Sequence, residues 1–346
     1  MMKIIALLCI TSLLCGCQCN AEYVAEWQQE LGYDLNTIEI DSVKTCSIIP
    51  LSKELVHAKD FWVYRDSVLV VLNKPTCDYF IEVYDLKSGK RLTRCIMKGN
   101  GPTEMLNCNA RLNGDNLYVR DFVKGNYTVV NLDEIVQYKN DYQLGFFKRY
   151  KESLSVYDVH EIGGRLLCLN PYCFYSPDIG VDNLEPRFFY EGEWKPGNRK
   201  LNAFNVSQGH IVVNDVDRKV LFAGLDLSQI EIYDFSLTPL VKVNGPKNLN
   251  IKYVSRDGRV TFYKTAYYSY LGACGLDDCF YVTYSGQDIN NAKSTYIFKF
   301  DWSGNVLKSV FVDKYLATIS PSSIENVLYV RGKDDDGETV MYKLEI

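Results

Sequence analysis

The three histidines of the sequence, His57, His160 and His210, are the side chains best suited to hold a metal ion. Each lies on or beside a strand that we expect to be innermost in a repeating unit, and imidazoles that converge on one channel could bind zinc. Their spacing along the chain matches no local ligand motif. We therefore predict no metal site and no cofactor.

Two cysteines, Cys274 and Cys279, flank the short polar segment Gly275–Asp278. This arrangement predicts a β-hairpin with the two thiols on opposed strands, where some positions meet disulfide geometry and others do not. The arrangement is compatible both with a disulfide between Cys274 and Cys279 and with two free thiols. Zinc is disfavoured, because structural zinc sites use closer cysteine pairs.

A glycine-rich stretch, Lys98–Glu104, reads KGNGPTE and could present backbone N–H groups to a phosphate. However, neither a helical pattern nor a Lys-Ser/Thr pair follows, as a phosphate-binding loop requires. We predict instead a tight connection between two repeating units, in which the Glu104 carboxylate holds neighbouring amides. The residues of this motif are Gly99, Gly101, Pro102 and Glu104.

Other short patterns favour turns over chemistry. The acidic run Asp334–Glu338 lacks the spacing of a calcium loop, and Ser255–Phe262 only approximates the Asp-box of sialidases. Neither a G-x-S-x-G nor a C-x-x-C-H motif occurs in the sequence. A net charge of −5 argues against nucleic-acid binding. We predict no catalytic residue.

The best candidates for ligand contacts lie in two long polar segments, Pro171–Pro186 and Ser285–Ser294, which we expect to be loops. Long loops tend to carry function, and aromatic rings beside carboxylates and amides suit a glycan or a peptide. The candidate binding residues are Tyr172, Tyr175, Asp178, Asp182, Gln287 and Asp288.

The elements that must position these residues are short strands, because β-branched and aromatic runs alternate with Gly, Asn and Asp turns. One pattern recurs six times: an alternating apolar strand that ends in an acidic residue. Such a repeat is typical of propeller blades. The copies are Ile81–Asp85, Val129–Asp133, Arg187–Glu191, Ile230–Asp234, Ile297–Asp301 and Met341–Glu345.

We read each copy as the third strand of a four-stranded blade. The sixth copy ends one residue before the C-terminus, so its blade needs a fourth strand from elsewhere. The N-terminal segment Thr37–Leu51 carries five aliphatic β-branched residues and is the natural donor. The predicted fold is an all-β, six-bladed β-propeller over residues 36–346, closed by that N-terminal strand.

The first 17 residues resemble the signal of a bacterial lipoprotein. Lys3 precedes the apolar run Ile4–Leu14, which is too short to span a bilayer. The run ends in Leu14-Cys15-Gly16-Cys17, a sequence similar to a lipobox. We predict a signal peptide over residues 1–16, lipidation of Cys17 and a tether over residues 17–35.

The lipobox, the six repeats and the G-x-G-P-x-E stretch together resemble the TolB-like six-bladed propeller lipoproteins of Gram-negative anaerobic bacteria. The resemblance implies a non-catalytic binding or scaffolding module, anchored to the membrane by its lipid, with a glycan, a peptide or an envelope protein as partner. Gln18 after the lipidated cysteine implies the outer membrane. The alternative function is a metal-assisted hydrolase or lyase with its site at the channel mouth.

Overall fold

The computed structural model describes residues 27–43, 45–49, 56–121, 123–137, 141–142, 145, 147–149, 158–162, 165–170, 173–175, 208–247, 253–256, 259–262, 267–288 and 291–346. Strands dominate these residues, which contain one short α-helix. No helix among them is both long enough and apolar enough to cross a bilayer.

The strands fall into consecutive groups along the chain. The N-terminal strands are β1 (Gln29–Gly32), β2 (Asp41–Ser42) and β3 (Thr45–Ile48). Blade one comprises β4 (Ala58–Tyr64), β5 (Val68–Asn73), β6 (Tyr79–Asp85) and β7 (Arg91–Met97). Blade two comprises β8 (Asn109–Asn113), β9 (Asn116–Asp121), β10 (Asn126–Asn131) and β11 (Lys148–Arg149), with helix α1 (Leu132–Gln137) after β10.

The remaining strands follow in the same order. A three-stranded sheet contains β12 (Asp158–Ile162), β13 (Arg165–Asn170) and β14 (Cys173–Tyr175). Blade three comprises β15 (Gly209–Asn214), β16 (Lys219–Gly224), β17 (Gln229–Asp234) and β18 (Pro239–Asn244), and a hairpin of β19 (Tyr253–Arg256) and β20 (Arg259–Phe262) comes next. Blade four comprises β21 (Tyr267–Gly275), β22 (Cys279–Asp288), β23 (Thr295–Asp301) and β24 (Val306–Val312), and blade five β25 (Leu316–Pro321), β26 (Val327–Lys333) and β27 (Thr339–Glu345).

Each blade is an antiparallel meander whose first strand is innermost in the ring. We call the end of the ring that carries the turns between first and second strands the turn face. The opposite end carries the links between blades and the loops between second and third strands, and we call it the connection face.

The prediction of six four-stranded blades is wrong, because the structure forms five complete blades in its ring. In the described residues the third repeat supplies only the three-stranded sheet, and its copy of the strand pattern, Arg187–Glu191, lies outside them. Strand β12 packs against β8, β9 and β15. At the turn face, however, the Asn113 amide of blade two donates directly to the Asp215 carboxylate of blade three at 2.9 Å. Blades two and three therefore adjoin there without a full blade between them.

The N-terminal strands pair with blades three, four and five and so link these blades. Strand β1 pairs in parallel with β18, the outer strand of blade three, and β2 pairs in parallel with β24 of blade four. Strand β3 pairs antiparallel with β27 and becomes the fourth strand of blade five, as the sequence analysis expects of this segment. Gln29–Gly32 lies within the segment assigned to the tether, so that part of the segment is docked on the propeller.

Tyr33 anchors the segment between β1 and β2. Its hydroxyl lies 2.9 Å from the hydroxyl of Tyr270, and its ring packs edge-on against Phe298 and Phe300 at centroid distances of 5.2 and 5.5 Å. Because these partners belong to blade four, the segment is tied to that blade by side chains as well as by the backbone pairing of β2.

The apolar core lies between neighbouring blades. One cluster joins blades one and two, including Val83 and Leu117. Another joins blades three and four, including Ile232 and Phe280, and others join blade four to blade five and blade five to blade one. Alternate side chains of each strand fill these interfaces, which is why the repeats carry apolar residues at every second position.

Turn chemistry after the third strands agrees with the sequence analysis. The Asp85 carboxylate accepts from the backbone N–H of Ser88 at 2.6 Å, and Gly89 adopts a φ of 69°. Asp301 likewise accepts from the N–H groups of Ser303 and Asn305 at 2.8 and 2.9 Å. These carboxylates close the hairpins to the outer strands, so the repeating acidic residue has a structural role.

Candidate binding site in the central channel

A cavity of about 240 Å³ occupies the central channel near the turn face. The innermost strand of each blade contributes to its wall, and β12 adds His160. The cavity is smaller than the ~300–1,000 Å³ of typical drug-sized ligand sites. It suits one sugar unit or one amino-acid side chain. Its polar wall residues include Asp60, Arg111, Asn113, His160, His210 and Ser320.

The charged part of the wall is a bridge between blades one and two. Arg111 Nη1 donates to Asp60 Oδ2 at 2.8 Å, and the two side chains are 23% and 16% exposed. Both residues come from innermost strands, β8 and β4, so the pair spans the blade interface. Such a pair places guanidinium donors beside carboxylate acceptors on the cavity wall, and these are the groups that orient a polar ligand.

A lysine lies beside this pair. Lys59 Nζ donates to the Cys108 carbonyl at 3.2 Å and to the Asn109 side-chain oxygen. Burial lowers the pKa of Lys59, opposed in part by the nearby Cys108 and reinforced by Arg111 and Arg120. Lys59 does not itself line the cavity, so the charged groups of the wall are those of the Arg111–Asp60 pair.

The structure separates the three histidines. His160 is 2% exposed, lies 6.3 Å from the Tyr118 ring and lines the cavity with His210. His57 is exposed, just before β4 at the connection face. Within the described residues no group of three His, Cys, Asp or Glu side chains is placed to hold a metal ion.

Side-chain bonds between blades surround the cavity mouth. Asp66 of blade one accepts from the hydroxyls of Ser322 and Ser323 and, at 2.9 Å, from the Ser323 N–H of blade five. Burial opposes ionisation of Asp66, but these bonds outweigh it and lower its pKa. Tyr64 donates to Asp115 at 2.7 Å across the next interface. These bonds tie blade one to both of its neighbours, so this part of the rim is preformed.

The Gly99–Glu104 motif is a structural connection between blades one and two. Glu104 Oε2 accepts from the Gly101 N–H at 2.8 Å, as the sequence analysis expects of this carboxylate. Lys124 Nζ donates to the carbonyls of Gly101 and Glu104 at 2.9 and 2.6 Å. Pro102 lies in the same turn. The Gly101 N–H and the Lys124 ammonium, two donors that a phosphate could use, are therefore already bonded within the motif.

We expect Gly99→Ala to destabilise the protein by about 1–2 kcal/mol, the value of a part-buried hydrogen bond to a charged group. A methyl group at position 99 would lie 1.9 Å from Glu104 Oε2, so the carboxylate must leave Gly101. Gly145→Ala is the matched control, because nothing lies within 4 Å of its added methyl. Urea unfolding measures both, and equal midpoints for the two variants would contradict this role.

Only some of the predicted loop residues lie in the described part of the chain. Tyr172, Asp178, Asp182 and Cys17 lie outside the described residues, and only the backbone of Tyr175 is described, at the end of β14. Cys173–Tyr175 thus forms a strand where the sequence analysis expects a loop. The Gln287 amide accepts from the Lys293 N–H at 3.0 Å and donates to Ser294, so it holds its own loop. Asp288 ends β22 opposite Tyr267.

The hairpin of Cys274 and Cys279 forms, but in a different register from the expected one. Cys274 lies opposite Tyr281, and Leu276 instead donates its N–H to the Cys279 carbonyl at 2.8 Å. Both thiols are free and buried. Burial raises the pKa of Cys279 to about 11 and that of Cys274 further, so both are protonated thiols at neutral pH.

Sequence reasoning missed the charged residues of the channel wall, although it placed His160 and His210 on or beside innermost strands. Asp60 and Arg111 each lie on a short strand among apolar neighbours, FWVY after Asp60 and Ala110 and Leu112 around Arg111. A charged residue on an innermost strand is costly unless it is paired. That cost is the signal that could have identified the two as partners.

No protein-family profile matches the sequence, and no curated protein is recognisably similar to it. Among solved structures, the chain is similar to a protein of Bacteroides fragilis assigned as exported, with 14% identity, a TM-score of 0.54 and coverage of 92% of this chain and 99% of that one. It is also similar to a DUF4221 family member from Bacteroides vulgatus, with 10% identity, a TM-score of 0.51 and coverage of 87% and 96%. At these identities the likeness concerns the fold alone. Together with the ring of blades, it establishes an all-β propeller.

Proposed function

We propose that the protein is a non-catalytic binding propeller of the cell envelope, related to the TolB-like lipoproteins and anchored through Cys17. Two facts support an exported location: the lipobox-like Leu14–Cys17 and the assignment of the similar Bacteroides fragilis protein as exported. The single observation that carries the binding function is the cavity in the channel, with its preformed rim and polar wall.

The cavity takes one polar unit of a larger ligand, either a sugar of a glycan or a side chain of a peptide. Its volume of about 240 Å³ admits a unit of that size, and the Arg111–Asp60 pair supplies donors and acceptors on one wall. Because the mouth opens at the turn face, the rest of the ligand lies across the turns between first and second strands. The proposed ligand thus lies on the face opposite to the loops that the sequence analysis favours.

We expect Arg111→Gln to weaken binding of a glycan or peptide at least tenfold, the loss of about one hydrogen bond to a charged group. Glycan and peptide arrays identify the probe, and calorimetry on the full mature chain gives its Kd. Arg91→Gln is the matched control, since Arg91 is an exposed residue of the outer strand β7 that pairs with Glu82 at 3.3 Å.

A second variant keeps the test decisive if Arg111→Gln fails to fold. Asp60→Asn retains the guanidinium and removes only its carboxylate partner, and it should also change the Kd of the same probe. An array ligand that binds both variants with wild-type Kd would contradict the channel site.

A further inference from the structure

The N-terminal end of β1 lies at the turn face of blade three. Strand β1 runs parallel to β18, with Gln29 opposite Val241 and Gly32 opposite Asn244. Strand β18 begins at the turn face, because it follows the turn after Asp234. Strand β1 therefore also runs from the turn face to the connection face, and the chain enters the propeller at the turn face.

Trp27 fixes this entry point. The centroid of its ring lies 5.3 Å from that of the Tyr233 ring, at an interplanar angle of 59°. The ring packs against the core of blade three together with Phe235 and Leu237, which belong to the turn between β17 and β18. An aromatic pair is worth ~0.5–1.5 kcal/mol beyond its buried area. Because Trp27 and β1 are docked on the blade, the residues from 27 onward do not lengthen the tether.

The remaining tether is short. Nine residues, 18–26, separate Trp27 from the predicted lipid attachment at Cys17. A fully extended chain spans ~3.3–3.6 Å per residue, so the ten steps from Cys17 to Trp27 cover at most about 35 Å, whatever their path. In an anchored chain, the entry point at the turn face therefore lies within about 35 Å of the bilayer surface.

The opposite orientation, with the connection face on the bilayer, would leave the tether almost no slack. Strand β18 alone spans about 20 Å, from six residues at ~3.3 Å each, and the turns and loops at its two ends add to the height of the ring. The tether would then have to run extended down the side of blade three, where β1 already occupies the edge of β18. An extended chain has few conformations, so chain entropy favours the turn face as the membrane side.

The turn face carries more exposed acidic than basic side chains. In the described turns between first and second strands, the exposed charged residues are Asp115, Asp215, Asp217, Asp277, Asp278 and Glu325 against Arg65 and Arg218. A bilayer that contains anionic lipid repels such a face at short range. The turn face therefore does not lie flat on the lipid, and a gap stays open in front of the cavity mouth.

We propose that the lipid anchor holds the turn face, and with it the mouth of the channel cavity, toward the bilayer. This inference rests on the anchor at Cys17 in the proposed function. A glycan or peptide attached to the same membrane reaches the cavity through the gap, whereas one on a bulky soluble carrier is excluded by the bilayer. The short tether thus selects membrane-attached ligands, a choice that the cavity alone does not make.

Resonance energy transfer to acceptor lipids tests the orientation of the lipidated full chain in liposomes. Donor fluorophores are attached through an azide-bearing amino acid at Ser236 or at Lys247, two exposed positions beyond the turn-face and connection-face ends of β18. We expect at least twice as much transfer from position 236 as from position 247. Insertion of about 24 Gly and Ser residues after Asn20 makes a long flexible tether, and the difference should then disappear.

Access to the two faces is measured with a cyclooctyne coupled to a large dextran. Anchoring should slow its reaction with the azide at position 236 at least fivefold relative to the same labelled chain carrying Cys17→Ser. The azide at position 247 is the matched control, and its reaction rate should be the same in both chains.

The outcomes separate the anchor from the orientation. A wild-type chain that does not float with liposomes, or a Cys17→Ser chain that floats equally well, would contradict the anchor and the inference with it. Flotation with equal transfer from positions 236 and 247, or with equal dextran access at position 236 in both chains, would keep the anchor and overturn the orientation. A transfer difference that persists after the insertion would show that the tether is not its cause.

Discussion

Deletion of residues 45–49 is expected to abolish cooperative unfolding of the propeller. These residues include β3, which pairs with β27 at four positions, and Ile49, whose N–H donates to the Met341 carbonyl at 2.8 Å. At about 1 kcal/mol per hydrogen bond, the loss is about 5 kcal/mol. That is comparable with the whole stability of many domains, which is ~5–15 kcal/mol. Differential scanning calorimetry of wild type and deletion variant measures the effect.

The deletion also leaves β27 as a bare edge, which favours pairing with another chain. We therefore expect the variant to elute as larger species in size-exclusion chromatography. Ser47→Ala is the control, because it retains the backbone of β3 and removes only a long 3.5 Å side-chain contact to Lys343. A deletion variant that melts in a single transition near the wild-type temperature would show that β3 does not close the ring.

Asp226→Asn is expected to stabilise the protein increasingly as the pH rises from 4 to 8. An aspartate titrates near pH 4 in an unfolded chain, whereas burial raises the pKa of Asp226 to about 7 in the folded protein. Between these values the folded state binds more protons, so wild-type stability falls as the pH rises. At about 1.4 kcal/mol per pKa unit, the gap of about three units sets an upper limit of about 4 kcal/mol.

The informative quantity is the difference in unfolding free energy between Asp226→Asn and wild type at each pH, from urea titrations. Carboxyls whose pKa is lowered in the folded state, such as Asp66 and Asp301, have the opposite dependence in both proteins and cancel in the difference. Asp336→Asn is the control, because Asp336 is exposed. Its difference in unfolding free energy from wild type should not change with pH. If the unfolding free energies of wild type and Asp226→Asn changed in parallel with pH, the charge of the Asp226 carboxylate would already be stabilised in the folded protein.

The repeat pattern predicted much of the fold because it has a direct physical cause. Four of the six copies lie in third strands, and β6, β17, β23 and β27 each end on the predicted acidic residue. The copy Val129–Asp133 differs at its end: the chain enters α1 at Leu132, and the Asn131 side chain accepts from the Glu134 N–H at 3.3 Å. A capping asparagine and two acidic residues favour that helix over a hairpin turn.

The blade number could not be obtained from the same pattern. The pattern indicates that a segment can form a strand, but it does not show whether three further strands are present to complete a blade. Asn170 lies opposite Cys173, so the chain reverses sooner than the predicted loop Pro171–Pro186 allows. The direct bond between Asn113 and Asp215 joins residues 102 positions apart, which no local signal reveals.

The candidate site and the buried Asp226 were least accessible to sequence reasoning. The search favoured aromatic and polar residues in long loops, whereas the cavity wall is built from single charged residues on inner strands such as Asp60 and Arg111. Asp226 lies in the short segment DLSQ, which is typical of an exposed turn. The adjacent Leu225 donates to the Gln208 carbonyl and accepts from the Ser269 N–H, and only the folded ring brings these residues together.

The pairing of the N-terminal strands with blades three to five has a consequence for biosynthesis. Ser47 and Lys343 are 296 residues apart in sequence yet adjacent in space. Chains emerge N-terminus first, so β1, β2 and β3 must wait for β18, β24 and β27, which are made later, and contacts of such sequence separation form slowly. During that interval three open strand edges are available to other chains. We therefore expect the ring to close only when β27, its last strand, has been made.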